Sequence, residues 1–237
     1  MKKAKEMSYF EERNNPVLHC CATEPLRLGQ ARILRETAGG ALVREDRAGM
    51  YILAADSPAD ARELLDGVDD VRFIMLCNAE FAPLIDRFGL TDRMVFRQAA
   101  YRRGELPPED SRLRIAVAEG RSLARILELY RLNGPESIRH QAERGELFFA
   151  TDARGAEVGF VGLHPEGCFG MLEVFPQQRG RGYGAALENH ILRFCMETGR
   201  LPYCQVEEEN RISMNLQRKL GLEISRETLM MAWSEAH

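Results

Sequence analysis

The segment VFPQQRGRGYGAAL, Val174–Leu187, constrains the fold of this chain more than any other stretch. It ends an apolar run typical of a buried strand and begins an apolar pattern with helical spacing. Gly180, Gly182 and Gly184 alternate in the loop between them, together with two arginines. A strand that enters a glycine loop and then a helix exposes backbone N–H groups at the positive end of the helix dipole. The segment therefore predicts a site for a phosphate-bearing ligand.

This loop differs from the two common nucleotide-binding loops. A Walker loop requires Gly-Lys-Ser/Thr, and a dinucleotide loop spaces its glycines G-x-G-x-x-G. The segment contains no lysine, and its spacing is R-x-x-G-x-G from Arg179 to Gly184. Arg179 and Arg181 can add charge-assisted hydrogen bonds to a bound anion. A tight strand-to-helix turn is the structural alternative, but such a turn needs neither both arginines nor the preceding Pro176.

Composition and charge narrow the range of partners. The 237 residues carry a formal net charge of -4 and a pI near 5.8, so they exert no general attraction on nucleic acid or anionic lipid. No apolar stretch follows the N-terminal lysines or is long enough to span a bilayer, which predicts a cytoplasmic protein without membrane partners. The six cysteines show no Cys-x-x-Cys or Cys/His ligand spacing. We therefore expect neither a disulfide nor a metal site.

A charged segment with two prolines, GELPPEDSR at Gly104–Arg112, marks the predicted domain boundary. Before it, ALVRED and MYILAAD predict a hairpin, SPADARELLDG a short capped helix and VRFIMLC a buried strand. A second helix is expected at about Glu80–Phe88, followed by the strand MVFRQAAYR. We predict a smaller N-terminal α+β domain over residues 1–108 and a second domain over residues 109–237.

The second domain has its own order of predicted elements. LRIAVAEG predicts a strand, SLARILELYRL and PESIRHQAERG two helices, and ELFFATDARGAEVGFVGLH two strands around a turn. The strand FGMLEVF leads into the glycine loop, and AALENHILRFCMETG predicts an amphipathic helix that stops at Gly199. LPYCQVE, RISMNLQRKLG and LMMAWS predict a strand, a helix closed by Gly221 and a last strand. The fold class is therefore α+β.

Two blocks of this half resemble a known family. The stretch LEVFPQQRGRGYGAAL resembles the acyl-CoA pyrophosphate loop of the GCN5-related N-acetyltransferases (GNAT), whose pattern Arg/Gln-x-x-Gly-x-Gly/Ala is met by Arg179, Gly182 and Gly184. The family's second block is met by Asn210, Ser213, Leu216, Lys219, Leu220 and Gly221, with Leu222 in place of the usual Phe. The resemblance covers about residues 112–237 and is strongest to the glycine N-acyltransferase branch. It implies a central mixed, mostly antiparallel sheet with splayed strands, flanked by helices.

The resemblance also implies roles for individual residues. The backbone of Val174 would hydrogen-bond the pantetheine arm of acetyl-CoA or another acyl-CoA, and the strands of Val174 and Val206 would splay apart to admit it. Asn210 and Ser213 would line the thioester end. The pyrophosphate would be held by the N–H groups of the loop, which belong to Arg179, Gly180, Arg181, Gly182, Tyr183 and Gly184.

Acyl transfer to an amine needs a neutral nitrogen, a polarised carbonyl and a stabilised thiolate. Glu173 is the first candidate for the base, because its carboxylate lies in a largely apolar strand where burial without a partner is costly; the alternative is that it points to solvent. Glu207, Glu208 and Glu209 are further candidates for the base, or form a solvated loop. Gln217 stands where the family often carries a tyrosine that acts as the acid, and a Gln has no proton to give.

Because Gln217 replaces the tyrosine, the sequence does not identify the group that protonates the departing thiolate. Another group serves, or a water does, or catalysis is impaired, and Tyr183 and Tyr203 are the nearest tyrosines in sequence. The sequence also leaves two interpretations of the N-terminal half. It is either a degenerate acetyltransferase-like copy, in which DSPADAREL replaces the glycine loop, or an unrelated α+β domain.

We expect an N-acyltransferase that transfers acetyl from acetyl-CoA to a primary amine of a small molecule, such as an amino acid. A protein N-terminal or lysine acetyltransferase is the alternative enzyme, and a non-catalytic acyl-CoA sensor is the alternative of another class. The expected assembly is a monomer or a homodimer.

Overall fold

The computed structural model describes residues 8–234. Residues 1–7 and 235–237 lie outside this range, so the expectation about the N-terminal lysines falls partly on residues that are not described. The chain forms two compact units: the first contains the residues up to Ala100 and those from Gln205 onward, and the second contains Tyr101–Cys204.

The described residues form helices and strands in a mixed order along the chain. In order they are α1 Ser8–Arg13, α2 Cys20–Arg27, β1 Ala31–Thr37, β2 Gly40–Glu45, β3 Tyr51–Ala55, α3 Pro58–Leu65, β4 Phe73–Leu76, a 3-10 helix Ala79–Phe88, β5 Asp92–Ala100, β6 Leu113–Val117, α4 Gly120–Leu129, α5 Pro135–Glu143, β7 Leu147–Asp152, β8 Glu157–Gly162, β9 Glu173–Val174, a 3-10 turn Pro176–Gln178, α6 Tyr183–Glu197, β10 Tyr203–Glu207, α7 Arg211–Leu220 and β11 Glu223–Trp233.

The larger sheet has seven strands in the order β1-β2-β3-β4-β11-β5-β10. Strands β3 and β4 run parallel, whereas β11 is antiparallel to both β4 and β5. The last strand of the chain therefore lies between two strands of the N-terminal half, which explains why residues from Gln205 onward pack with the first unit. This division differs from the sequence boundary at residues 108 and 109, which remains a prediction about family domains.

The second unit holds a four-stranded antiparallel sheet in the order β6-β7-β8-β9, with β9 at its edge. Apolar residues of α4 and α5 pack on one face of this sheet, with Ile126 and Ile138 against Phe149 and Phe160. The predicted α+β fold with a mixed, mostly antiparallel sheet flanked by helices is confirmed, although the strands divide between two sheets.

Several elements differ from the sequence prediction. The helix expected at Glu80–Phe88 is a 3-10 helix, and Pro83 within it lacks the N–H that an α-helix needs. The strand predicted for FGMLEVF shortens to β9, because the N–H of Phe169 donates to the carbonyl of Tyr203 rather than to a neighbouring ladder. Strand β11 is longer than the predicted LMMAWS, and α1, α2 and β1 were not predicted at all.

The structure gives further information on the cysteines and on membrane-spanning helices. All six cysteines are free and buried. Across residues 8–234, each helix is too short or too polar to cross a bilayer.

Candidate active site

The glycine loop joins β9 to α6 through two residues in the left-handed region. After the 3-10 turn at Pro176–Gln178, Gly180 has φ of 77° and Gly182 has φ of 80°. A glycine adopts this conformation at little cost, whereas an L-residue with a Cβ is strained there. The two glycines let the chain turn so that α6 begins at Tyr183.

The N-terminus of α6 is open. No side chain caps it, and Gly182 at the capping position has no side chain to offer. The first N–H groups of a helix have no partner within the helix, and they lie at the positive end of its dipole. The four residues before the helix are exposed, which are Arg179, Gly180, Arg181 and Gly182. The anion site in this loop stays a prediction, and the N–H of Arg179 is not among its open donors, because it donates to the carbonyl oxygen of Pro176 at 3.4 Å.

The junction between strand β3 and helix α3 in the N-terminal half is closed. The Oγ of Ser57 accepts a hydrogen bond of 3.2 Å from the N–H of Asp60, which caps α3. The carboxylate of Asp56, just before the cap, is held by Arg13 through Nε at 2.9 Å. A capped helix end with two carboxylates beside it does not favour a phosphate. The segment DSPADAREL thus has a capped helix end, unlike the uncapped start of α6.

Arg112, which the sequence analysis missed, holds the glycine loop. Its Nη1 donates to the carbonyl oxygen of Arg181 at 3.1 Å, and its guanidinium lies 5.1 Å from the ring centre of Tyr183. Its Nε donates to Asp110 at 2.8 Å, and this interaction lowers the pKa of the Asp110 carboxyl below its ordinary value. The only sequence signal was a charged cluster, since 69 residues separate Arg112 from Arg181.

Val174 lies on the edge strand. It pairs with Gly159 of β8. A Cβ added to Gly159 would lie 2.0 Å from the carbonyl oxygen of Glu173, which is too close for any side chain. Gly159 therefore allows β9 to approach β8 closely. The carbonyl oxygen of Val174 accepts a hydrogen bond of 2.9 Å from Nε of Arg179, so a ligand that uses this oxygen must share or displace the exposed Arg179 side chain.

Glu173 is half-buried next to this strand edge. Its side chain is 30% exposed and lies 3.8 Å from Nη2 of Arg179, measured from Oε1. The alternative that Glu173 points to solvent therefore holds only in part, because its carboxylate is accessible but lies beside the cationic Arg179. The second unit brings Glu173, Val174 and the whole glycine loop together at one end of the four-stranded sheet.

The residues of the second block belong to the first unit. Asn210 caps α7 by accepting the N–H of Ser213 on Oδ1 at 3.0 Å, which is the local reason for the Asn-x-x-Ser spacing. Ser213 is partly buried, and Gln217, one turn further along α7, is 1% exposed. A buried amide at this position can donate hydrogen bonds but cannot titrate.

The three consecutive glutamates at the end of β10 are exposed. Glu208 accepts a hydrogen bond of 3.0 Å from Nε of Arg97, which gives it a structural partner. Glu207 ends the strand, and Glu209 precedes the cap of α7. The arrangement is that of a solvated loop with one ion pair.

The two tyrosines considered as acids are both engaged in the fold. Tyr203 is buried, and its hydroxyl donates to the carbonyl oxygen of Glu166 at 2.9 Å. Tyr183 is buried beneath the guanidinium of Arg112. Within residues 8–234, no three or more His, Cys, Asp or Glu side chains are grouped to hold a metal ion.

Comparison with known proteins identifies a family for this region. Residues 119–222 match the family model described as the acetyltransferase (GNAT) family. The matched residues include the glycine loop, Glu173 and the Asn210 block, and they end one residue after the Gly221 that closes α7. No curated protein matches the sequence.

Solved structures share the fold along almost the whole chain. A Drosophila protein aligns with a TM-score of 0.61 at 14% identity, covering 95% of this chain and 85% of its own. A GCN5-related N-acetyltransferase from Kribbella flavida aligns with a TM-score of 0.56 at 15% identity, and the alignment covers 93% of this chain and 96% of that protein. A putative acetyltransferase of the GNAT family from Novosphingobium aromaticivorans aligns with a TM-score of 0.54 at 16% identity, and the alignment covers 94% of this chain and 97% of that protein. At these identities the likeness concerns the fold alone.

Proposed function

Because residues 119–222 carry a GNAT acetyltransferase domain, we propose that this protein is an acyl-CoA-dependent N-acyltransferase that transfers acetyl from acetyl-CoA to a primary amine of a small molecule. One observation carries the proposal. The open N-terminus of α6 lies beside an edge strand that bears a half-buried carboxylate, Glu173.

The loop fits the pyrophosphate of a CoA thioester. The uncapped donors of α6, from Tyr183 onward, favour negative charge, and the left-handed glycines keep Cβ atoms away from the ligand. Arg179 and Arg181 are exposed and can add charge-assisted hydrogen bonds. We assign the pyrophosphate to the N–H groups from Gly180 to Gly184 and to the Arg179 side chain, because the N–H of Arg179 donates to the carbonyl oxygen of Pro176 at 3.4 Å. Arg112 holds the loop in shape.

The free edge of β9 fits an extended amide-bearing chain. An edge strand presents backbone N–H and C=O groups that no strand of its own sheet uses. We assign the pantetheine arm to the backbone of Val174, and Arg179 must then release the carbonyl oxygen that it binds. The bound thioester supplies the acyl group; the roles of Asn210 and Ser213, which belong to the first unit, stay predictions of the family resemblance.

Glu173 serves as the base for the incoming amine, directly or through one water. Its partial exposure gives access to a substrate, and the neighbouring Arg179 supplies a compensating charge. Gln217 has no proton to give, so the departing thiolate takes its proton from water. Neither Tyr183 nor Tyr203 is assigned this role, because each is buried and engaged elsewhere.

The test is CoA thiol release from acetyl-CoA with a panel of amines and a no-acceptor control. We expect release with at least one acceptor class, and a loss of roughly a hundredfold in kcat for Glu173→Gln, as for removal of a general base. Glu157→Gln is the matched control, because Glu157 lies on β8 at 36% exposure and 3.5 Å from Arg125.

Two outcomes would contradict the proposal. Acetyl-CoA binding without release for any amine would favour the sensor reading. Release that Glu173→Gln leaves unchanged would remove Glu173 from the role of base, while keeping the enzyme class.

A further inference from the structure

Arg112 has two N–H groups that the fold does not use. A guanidinium carries five N–H donors, one on Nε and two on each Nη. Nε donates to Asp110 at 2.8 Å, Nη2 also donates to Asp110, and Nη1 donates to the carbonyl oxygen of Arg181 at 3.1 Å. These bonds use three donors, so one N–H on each Nη has no partner among residues 8–234.

The guanidinium of Arg112 is held in place and still reaches solvent. The side chain is 54% exposed, and the guanidinium carbon lies over the ring of the buried Tyr183, 5.1 Å from its centre. The contact with two atoms of its guanidinium that Asp110 makes, together with this stacking, fixes the orientation of the group. An arginine that is already ordered loses less conformational entropy when it binds an anion. Its two free donors are therefore preorganised.

These free donors lie at the start of α6. Nη2 of Arg112 is 3.8 Å from the position that a Cβ on Gly182 would take, and Gly182 directly precedes the helix. Arg179 and Arg181 belong to the loop and are exposed as well. Three arginines at one loop provide more positive charge than Asp110, the carboxylate paired with Arg112, neutralises. This charge suits a ligand that carries several phosphate groups.

The peptide between Arg181 and Gly182 separates Arg112 from the assigned pyrophosphate site. In a trans peptide the C=O and the following N–H point in opposite directions, and the chain has no cis peptide among its described residues. The carbonyl oxygen of Arg181 faces Arg112, so the N–H of Gly182 points away from Arg112. A pyrophosphate bound by this N–H lies on the far side of the peptide. The free donors of Arg112 therefore face a different group of the ligand.

We propose, on the basis of the acyl-CoA-dependent function proposed above, that Arg112 binds the 3′-phosphate of CoA and makes the protein selective for CoA over dephospho-CoA. CoA carries this third phosphate on the same ribose that bears the pyrophosphate, and dephospho-CoA lacks it. A phosphate monoester presents three acceptor oxygens, whereas a guanidinium offers donors only. The glycine loop thus recognises the pyrophosphate, and Arg112 recognises the ribose phosphate.

The experiment measures the Kd of the full chain for CoA and for dephospho-CoA by calorimetric titration. Both ligands contain the pyrophosphate and the pantetheine arm, so the ratio of the two Kd values isolates the 3′-phosphate. We expect the unmodified protein to bind CoA more tightly by roughly tenfold or more, because hydrogen bonds between a guanidinium and a phosphate are charge-assisted.

Arg112→Gln tests whether the selectivity depends on this residue. The variant loses the charge and the paired donors, and we expect the ratio of the two Kd values to fall to about twofold or less. Loss of loop support raises both Kd values alike and cancels in the ratio. A residue that only supported the loop would therefore leave the ratio unchanged.

Arg154→Gln is the matched control in the same unit. Arg154 also follows an aspartate by two residues: its N–H donates to Asp152 at 2.9 Å, as the N–H of Arg112 donates to Asp110 at 3.0 Å. It is exposed on the turn between β7 and β8. We expect Arg154→Gln to leave both Kd values unchanged.

Failure of this inference is distinguishable from failure of the function. Equal Kd values of the unmodified protein for CoA and dephospho-CoA, or an unchanged ratio in Arg112→Gln, would overturn the inference and leave the acyltransferase proposal in place. A ratio that Arg154→Gln reduces as much would also overturn it, because surface charge in general would then be responsible. If CoA binds with the expected ratio but no amine gives thiol release, the inference stands and the enzyme proposal fails. If neither ligand binds, both are overturned.

Discussion

Nη1 of Arg112 donates a hydrogen bond to the carbonyl oxygen of Arg181 over 3.1 Å, and Asp110 orients the same guanidinium. Arg112 thereby holds the loop to which we assign the pyrophosphate. A loop held in its binding conformation loses less conformational entropy when the ligand binds. The link between these residues joins the boundary segment to the site.

Arg112→Ala is expected to raise the Kd for CoA about tenfold, because a hydrogen bond made by a charged group contributes about 1.4 kcal/mol or more, and the loop loses its support. Calorimetric titration with CoA measures this change. Arg72→Ala is the control, since Arg72 pairs with Asp70 at 3.3 Å with the same sequence spacing in the other unit. Equal affinities for Arg112→Ala and the unmodified protein would show that the loop does not depend on Arg112.

Gly182→Glu is expected to abolish CoA binding while the protein still folds. The substitution places a carboxylate at the open end of α6 and forces an L-residue to φ of 80°, which costs about 1–2 kcal/mol. Gly199→Glu introduces the same residue beyond the other end of α6, at φ of 71°. Thermal unfolding should report a comparable loss of stability for both variants, and titration a loss of CoA binding for Gly182→Glu alone. CoA binding by Gly182→Glu would be incompatible with the assigned site.

Gly159→Ala is expected to disturb the edge strand. The new Cβ would lie 2.0 Å from the carbonyl oxygen of Glu173, so β9 must move away from β8 and carry Glu173 with it. Overpacking of this kind costs about 1–3 kcal/mol. Urea unfolding and thiol release should both report the change. Gly134→Ala, where nothing lies within 4 Å of the added atom, should leave both measurements close to those of the unmodified protein.

His19 predicts a pH dependence of stability in the first unit. Its side chain is buried against Tyr9 and Phe10, and burial lowers its pKa from 6.5 to about 4. Below pH 6.5 the unfolded chain binds a proton that the folded chain does not, so this contribution to stability falls as the pH drops from 6.5 to about 4. The loss amounts to about 3 kcal/mol at the lower end.

Urea unfolding of the unmodified protein and of His19→Phe across this pH range measures the contribution. We expect the difference between the two unfolding free energies to shift in favour of His19→Phe as the pH falls. His140→Gln, at an exposed position of α5, is the control. A pH-independent difference for His19→Phe would mean that His19 does not remain neutral in the folded protein.

Local features of the fold were accessible from the sequence. The hairpin of β2 and β3, the helices α3 to α7 and the sheet class follow from periodicity, caps and turn residues within short windows. The turn of the glycine loop follows in the same way, because Gly180 and Gly182 permit left-handed backbone. The end of α7 at Gly221 was also predicted, whereas the cap that Asn210 forms at its start was not. The roles assigned to these residues remain proposals.

Other features required contacts between distant parts of the chain. The residue pattern of β11 did not predict that this strand would lie between β4 and β5, because packing across the whole sheet determines which strands are neighbours. Arg112 and Arg181 are 69 residues apart, and the charged cluster around Arg112 resembles any solvated linker.

By itself, the sequence determined the turn of the glycine loop, the end of α7 at Gly221 and the mixed α+β class, since glycine dihedrals and residue periodicity act over a few residues. Only the tertiary structure decided which groups surround Glu173. Tyr130 reaches the face that carries Glu173 through Phe160, because the ladder between β8 and β9 sets two residues side by side that are far apart in the chain. Such neighbours depend on strand register and core packing, which the whole chain determines together.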